Sequence, residues 1–179
     1  EVAVISLGGI VVSHSLRVAG DELDEDIVNY IKREMNLAIG NTTAEQIKIQ
    51  IGCAMPLMTE MSIDVRGRDL ASGFPRNIKV TSTQIEEAIK ESINKIVDIV
   101  KLTLEKTPPE LASDIMEKGI ILAGGGALIK NLDKLLSNET GMPVYVADEP
   151  LDCVVRGTGK TLDDLERLKT VLVNSRKRR

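Results

Sequence analysis

Ile120-Ile121-Leu122-Ala123-Gly124-Gly125-Gly126-Ala127-Leu128 is the stretch on which the fold turns. The apolar run from Ile120 to Ala123 reads as a short buried strand, and Ala127 to Leu136 reads as a helix. Strand, glycines and helix in this order are an α/β signature. Residues without Cβ let backbone N–H groups approach a phosphate at the positive end of the following helix. A tight strand-to-helix turn accounts for the same glycines. The dinucleotide pattern G-x-G-x-x-G is not met, since Gly124 and Gly126 are followed by Ile129 where the third glycine belongs.

Downstream, Pro143 to Ala147 reads as another strand, and a loop with Pro150 leads into weaker helical patterns as far as Val173. Gly157, Thr158, Gly159, Lys160 and Thr161 imitate the end of a phosphate loop, but that motif needs glycine where Val154 stands. The glycine pair there is expected to serve helix packing. Upstream, Val2 to Leu7 and Ile10 to Arg17 flank Gly8 and Gly9 and predict a hairpin. Leu23, Ile27, Ile31 and Met35 recur at helical spacing, behind Asp24, Glu25 and Asp26, with Gly40 as the expected stop. Thr42 with Glu45 predicts a capping box for a helix whose apolar face is Ala44, Ile47, Ile51 and Ala54, with Pro56 as its end.

Met61 to Leu70 and Phe74 to Thr81 predict a second hairpin with Ser62, Asp64 and Arg66 on an exposed face. Thr83 and Glu86 predict the cap of a long helix with the stripe Ile85, Ile89, Ile93, Val97, Val100 and Leu104. Thr107, Pro108, Pro109 and Glu110 read as N-cap to N3 of a helix ending near Gly119. Hairpins first and alternating helix and strand later make a mixed α/β fold.

The 179 residues carry 23 Lys+Arg against 27 Asp+Glu, a charge of −4, which is the wrong sign for a nucleic-acid partner. Aromatic content of 2% leaves no stacking platform for single strands. The basic run from Arg176 to Arg179 reads as a solvated tail. Cys53, Cys153 and the single His14 supply neither a disulfide framework nor a zinc site, and a reducing compartment fits them best. His14 has no Ser or Cys partner at motif spacing. No apolar run approaches the roughly 20 residues of a membrane span. The chain opens without Met directly into a strand, which suggests a piece of a longer protein.

Glu45 and Lys48 share a helix face, either as an exposed ion pair or as an acid for ribose hydroxyls beside a lysine stem that covers a base. Gly20, Asp21 and Asp24 form G-D-x-x-D, which a turn and an N-cap also explain.

Taken in order, the glycine hairpin at Gly8 and Gly9, G-D-x-x-D at Gly20 to Asp24, T-A-E-x-I-K at Thr43 to Lys48, T-P-P-E-L-A-S-D-I at Thr107 to Ile115 and A-G-G-G-A-L at Ala123 to Leu128 resemble the MreB/Mbl family of actin-like bacterial cytoskeletal proteins. The resemblance runs almost end to end, and T-P-P-E-L-A-S-D is its most specific part. Ala123 departs from the hydroxyl residue that often precedes the glycines.

The resemblance implies the second half of an actin-like, ribonuclease H-like fold: a mixed sheet flanked by helices as the large lobe at 1–38 and 82–179, with a small α+β lobe inserted at 39–81. It implies that Glu45, Gln46, Ile47 and Lys48 line the base and ribose of ATP or ADP, while Gly124, Gly125, Gly126, Ala127 and Leu128 pass close to adenine and the α-phosphate. The phosphate loops and the acid that positions the attacking water are expected in the other half, so no catalytic residue and no Mg²⁺ ligand is assigned here. The intact protein is expected to be a slow ATPase coupled to polymerisation. By the same resemblance it forms head-to-tail homopolymer filaments at the cytoplasmic face of the membrane, working with cell-shape and cell-wall elongation proteins to maintain rod shape. Membrane contact is expected mainly through the other half. Met55, Leu57, Met58 and Met61 read either as part of a longitudinal contact or as core. The alternatives within the superfamily are the ATPase half of a chaperone and a small-molecule kinase; a nucleotide-free adaptor is the third.

Overall fold

The computed structural model describes residues 1–165 and 168; the helical patterns toward Val173 and the run Arg176 to Arg179 lie outside the described residues. Strands β1 (Val2–Ser6) and β2 (Gly9–His14) form the expected antiparallel hairpin. Its turn is Leu7-Gly8 rather than Gly8-Gly9, with φ of +50° and +77° at the two residues. Two consecutive positive φ values match the right-handed twist of the flanking strands, and Gly9 is thereby freed to pair with Ser6. Val4 pairs with Val12 and Ile5 with Ile10, so Val11 is the extra residue of a bulge.

Helix α1 (Gly20–Met35) buries Leu23, Ile27, Tyr30 and Ile31. It stops at Asn36, not Gly40: Asn36 takes φ +54° and returns its N–H to the Ile31 carbonyl, a left-handed cap that asparagine tolerates. Strand β3 (Leu37–Ala38) then pairs with β4 (Ser62–Asp69), which pairs in turn with β5 (Pro75–Thr81), all antiparallel. Ser62, Asp64 and Arg66 are exposed on this hairpin as expected. Helix α2 (Asn41–Ile51) buries Ala44, Ile47 and Ile51 and ends at Gly52, before Pro56. Gly40 is its N-cap and no side chain caps it, so Thr42 and Glu45 form no capping box.

Helix α3 (Ser82–Glu105) is capped by Thr81 and Gln84 instead of Thr83 and Glu86. The Thr81 hydroxyl accepts from the Gln84 N–H at 3.4 Å and the Gln84 side chain accepts from the Thr81 N–H at 3.0 Å. The start lies two residues earlier because Thr81 is the last residue of β5 and already extended, with ψ 158°. Ile85, Ile89, Ile93, Val97 and Val100 face the core as read, and each such burial contributes about 1.5–3 kcal/mol. Ser92 donates to Asp26 at 2.5 Å and Tyr30 to Glu87 at 2.8 Å, which ties α3 to α1.

Helix α4 (Pro109–Lys118) starts one residue later than expected, with Pro108 as N-cap; Thr107 instead donates to the Thr103 carbonyl at 2.7 Å. Strands β6 (Ile120–Leu122) and β7 (Val144–Val146) are parallel, joined through helix α5 (Leu132–Thr140), and helix α6 (Cys153–Asp163) follows. Among the described residues the strands lie in three sheets, β1-β2, β3-β4-β5 and the parallel β6-β7, around an aliphatic core fed by α1, α2, α3 and α5.

Candidate nucleotide site

Gly124 takes φ +83° and ψ 176°, a backbone region that only glycine enters freely, and its N–H donates to the Pro150 carbonyl at 2.7 Å. This bond brings the loop after β7 onto the glycine turn. Gly125 to Leu128 then form a single 3-10 turn, not the first turn of a long helix. The chain breaks over Ile129 to Asn131, where Asn131 takes φ +61°, and α5 starts only at Leu132. Two bonds hold the break in place: the Lys130 N–H donates to the Gly52 carbonyl at 3.3 Å and the Ala54 N–H to the Lys130 carbonyl at 2.8 Å. The Lys130 ammonium also donates to the Gln50 carbonyl at 2.7 Å, at the end of α2 where carbonyls lack helical partners. The expected helix over Ala127 to Leu136 is therefore split, and the glycines do not lead directly into a long helix.

Gly125 and Gly126 have no positive φ. A Cβ at Gly126 would meet nothing within 4 Å, and one at Gly125 would make an ordinary 3.5 Å contact with Leu151 Cδ2. Backbone conformation thus requires glycine at Gly124 alone.

A cavity of about 730 Å³ opens beside this turn. Gly125, Gly126, Ala127 and Leu128 border it on one side, and Glu45, Lys48 and Ile49 of α2 on another. Gly20, Asp21 and Asp24 of α1, Leu151, and the apolar Ile96, Ile99 and Leu136 are among the other residues that line it. Of the residues named from the sequence, Gln46, Ile47 and Gly124 do not border it. Gln46 is exposed elsewhere on α2, and Ile47 is a core residue with 1% exposure.

Lys48 does not pair with Glu45. Its ammonium lies 2.8 Å from Asp24 Oδ1 and donates to Asp24 Oδ2 and to the Gly20 carbonyl, both at 2.9 Å. Glu45 is exposed and has no hydrogen-bond or ion-pair partner among the described residues. Asp24 Oδ1 is buried, and the Lys48 ammonium is the partner it meets among the described residues. Asp24 is the site residue that the turn-and-cap reading of G-D-x-x-D passed over. Its place in the stripe of Ile27 and Ile31 was the available signal, because an acid on an apolar face needs a partner. Leu151 and Ile49, both exposed, carried no sequence signal.

The unpaired Glu45 carboxylate, the apolar Ile49 and Leu151 and a Cβ-free turn suit a nucleoside: hydroxyls for the acid, a flat base for the leucine and isoleucine. No group of three His, Cys, Asp or Glu side chains is placed to hold a metal ion among the described residues.

The other candidates take structural places. Gly157 to Thr161 lie inside α6, where Thr161 donates to the Gly157 carbonyl at 2.9 Å. A Cβ at Gly157 or Gly159 would meet nothing within 4 Å among the described residues, so no close approach requires glycine at either position. His14 Nδ1 lies 3.0 Å from Thr103 Oγ1, whose proton goes to the Ile99 carbonyl at 2.7 Å, so the imidazole is the donor. Cys53 and Cys153 are both free thiols, and burial pushes the Cys53 thiol up. Met58 and Met61 are exposed, Met55 and Leu57 half-buried. No helix among the described residues is long and apolar enough to cross a membrane.

Residues 1–170 match the family described as MreB/Mbl protein. The chain is 51% identical over 168 residues to the cell shape-determining protein Mbl of Bacillus subtilis, covering 94% of this chain and 50% of that protein. It is 53% identical over 166 residues to the cell shape-determining protein MreB of Escherichia coli, covering 93% and 48%. A crystal structure of MreB5 of Spiroplasma citri bound to ADP has a TM-score of 0.88 at 44% identity, over 92% of this chain and 50% of that one. The chain spans about half the length of the curated relatives it matches. These matches do not favour half of a chaperone or of a small-molecule kinase. With 51–53% identity across nearly its whole length and an actin-like structural neighbour, the chain belongs to the MreB/Mbl family of cell shape-determining, actin-like proteins.

Proposed function

We propose that this chain supplies the nucleoside side of an ATP-binding cleft in a filament-forming cytoskeletal protein. The observation that carries the reading is the convergence of Glu45 and Lys48 with Gly125 to Leu128 on one cavity, from segments about 80 residues apart. The MreB5 relative is described as bound to ADP, which supports ADP or ATP as the ligand. In this reading Glu45 accepts from ribose hydroxyls, and the base lies between the Lys48 stem and the glycine turn. The first N–H groups of that turn have no partner within it and suit the α-phosphate. Hydrolysis, Mg²⁺ and the remaining phosphates belong to residues outside this chain.

The lobe division 1–38 with 82–179 and an inserted lobe at 39–81 is part of the proposal, with α2 as the inserted lobe's contribution to the cleft. So is ATP-dependent self-assembly into filaments at the cytoplasmic membrane face that organise cell-wall synthesis and rod shape. Exposed Met58 and Met61 suit a longitudinal contact, because unbranched thioethers adapt to a partner surface. Membrane contact is assigned mainly to the rest of the protein.

The test is titration of a fluorescent ADP analogue into the full-length protein, with Glu45→Gln and Gly126→Val beside it, followed by ATP-dependent sedimentation. Weaker binding in both variants and loss of sedimentable polymer support the reading. Unchanged affinity in both removes the nucleotide site, and the filament mechanism with it.

A further inference from the structure

Asp24 is an acid within the apolar stripe of α1, three residues before Ile27 and seven before Ile31. Its side chain keeps 9% of its exposure and that of Lys48 keeps 14%. A carboxylate so withdrawn from water needs a fixed cation. Lys48 provides it from α2, at 2.8 Å from Oδ1 and 2.9 Å from Oδ2, while donating to the Gly20 carbonyl at 2.9 Å. Gly20 has no positive φ, so its backbone does not require glycine, yet a Cβ there would stand 3.2 Å from Lys48 Nζ. The missing side chain makes room for the ammonium.

We propose that Gly20 and Asp24 form an ammonium seat, and that Asp24 is thereby a positioning residue of the nucleotide cavity. The inference rests on the nucleotide reading above. The charge of Lys48 is neutralised inside the protein and ties α2 to the start of α1. A ligand therefore meets the Lys48 stem and the unpaired Glu45, not a free cation. Lys48 then acts on affinity through Asp24, and the two residues form one unit.

The experiment is a double-mutant cycle on ADP affinity in the full-length protein: Asp24→Asn, Lys48→Met and the two combined, with Glu45→Gln and Gly126→Val as separate controls. Each single variant is expected to weaken ADP binding about tenfold, and the pair about tenfold as well, because the second change removes an interaction already lost. A loss of about a hundredfold in the pair, the product of independent effects, overturns the seat. So does an unchanged Asp24→Asn beside a weakened Lys48→Met, which would put the ammonium on the ligand itself. If Asp24→Asn does not fold, the apolar pair Asp24→Leu with Lys48→Met replaces it, since exchanging both buried charges preserves folding. That pair is expected to melt like the parent without ligand and to bind ADP about tenfold more weakly; parental affinity overturns the proposal. If Glu45→Gln and Gly126→Val leave affinity unchanged, the nucleotide reading itself has failed. Weaker ADP binding by the Asp24→Leu, Lys48→Met pair at unchanged ligand-free melting, beside weakened controls, is what a merely structural ion pair would not produce.

Discussion

Lys48 on α2 and Asp24 on α1 form an ion pair 2.8 Å long that is almost withdrawn from water. Removing one partner strands the other charge. Asp24→Ala is expected to destabilise the full-length protein by about 3–5 kcal/mol, whereas the double replacement by Leu and Met is expected to recover most of that loss. Urea unfolding at neutral pH measures both, and equal stability of the single and double variants would refute the assignment.

The three glycines are expected to separate by role. Gly124→Ala must hold φ +83° with a side chain and should lose about 1–3 kcal/mol of stability. Gly126→Ala enters open space and should leave stability within about 0.5 kcal/mol. If a ligand approaches the turn as proposed, the ranking reverses for nucleotide affinity. Thermal melts beside ADP titrations of the two variants give the comparison.

At the start of α3, Thr81→Ala is expected to cost about 1 kcal/mol through loss of the capping box. Thr83→Ala should stay within about 0.5 kcal/mol, since its hydroxyl bonds only to Glu60 at the surface. Denaturant midpoints of the two variants decide which threonine caps the helix.

Asp69 closes the β4–β5 turn. Its carboxylate accepts from the Ser72 N–H at 2.8 Å, from the Ser72 hydroxyl and the Ala71 N–H at 3.0 Å, and from Arg76 at 2.5 Å. The Ser72 amide first, then the Arg76 guanidinium, hold its pKa at about 2, below the ordinary 3.8. A depressed carboxylate stabilises the fold above its ordinary pKa, and the contribution is lost as pH falls toward the folded value. Asp69→Asn should therefore be less stable than the parent at neutral pH, with the gap closing between about pH 4 and pH 2. A gap independent of pH over that window would contradict the assignment.

The thiols should differ in reactivity. Cys53 is buried and its thiol is pushed up by desolvation, whereas Cys153 is half-exposed. Thiolate-directed labelling of the native protein is expected to modify Cys153 first, with Cys53 reacting only on unfolding. Mass spectrometry of the labelled sites checks the order.

The features readable without coordinates are those set by neighbours along the chain. The stripes of α1 and α3, the apolar face of α2, both hairpins and the apolar strand before the glycines follow from periods of 3.6 and 2, which need no knowledge of the rest. Element ends slipped by one to four residues, as at Leu7-Gly8, Asn36 and Thr81, because several adjacent residues are competent to turn or cap and packing selects among them. Family membership was legible too, since Thr107 to Ile115 and Ala123 to Leu128 are local strings. The partner of Lys48 lies 24 residues away on α1 rather than at Glu45, and the packing of α2 on α1 sets it. Long-range contacts likewise split the helix after the glycines, through Lys130 bonded to the end of α2 some 80 residues earlier, and laid Leu151 against Gly125. Periodicity shows that a face is buried, but the partner of a buried charge or an open carbonyl is set by where distant elements come together, and no local pattern encodes that.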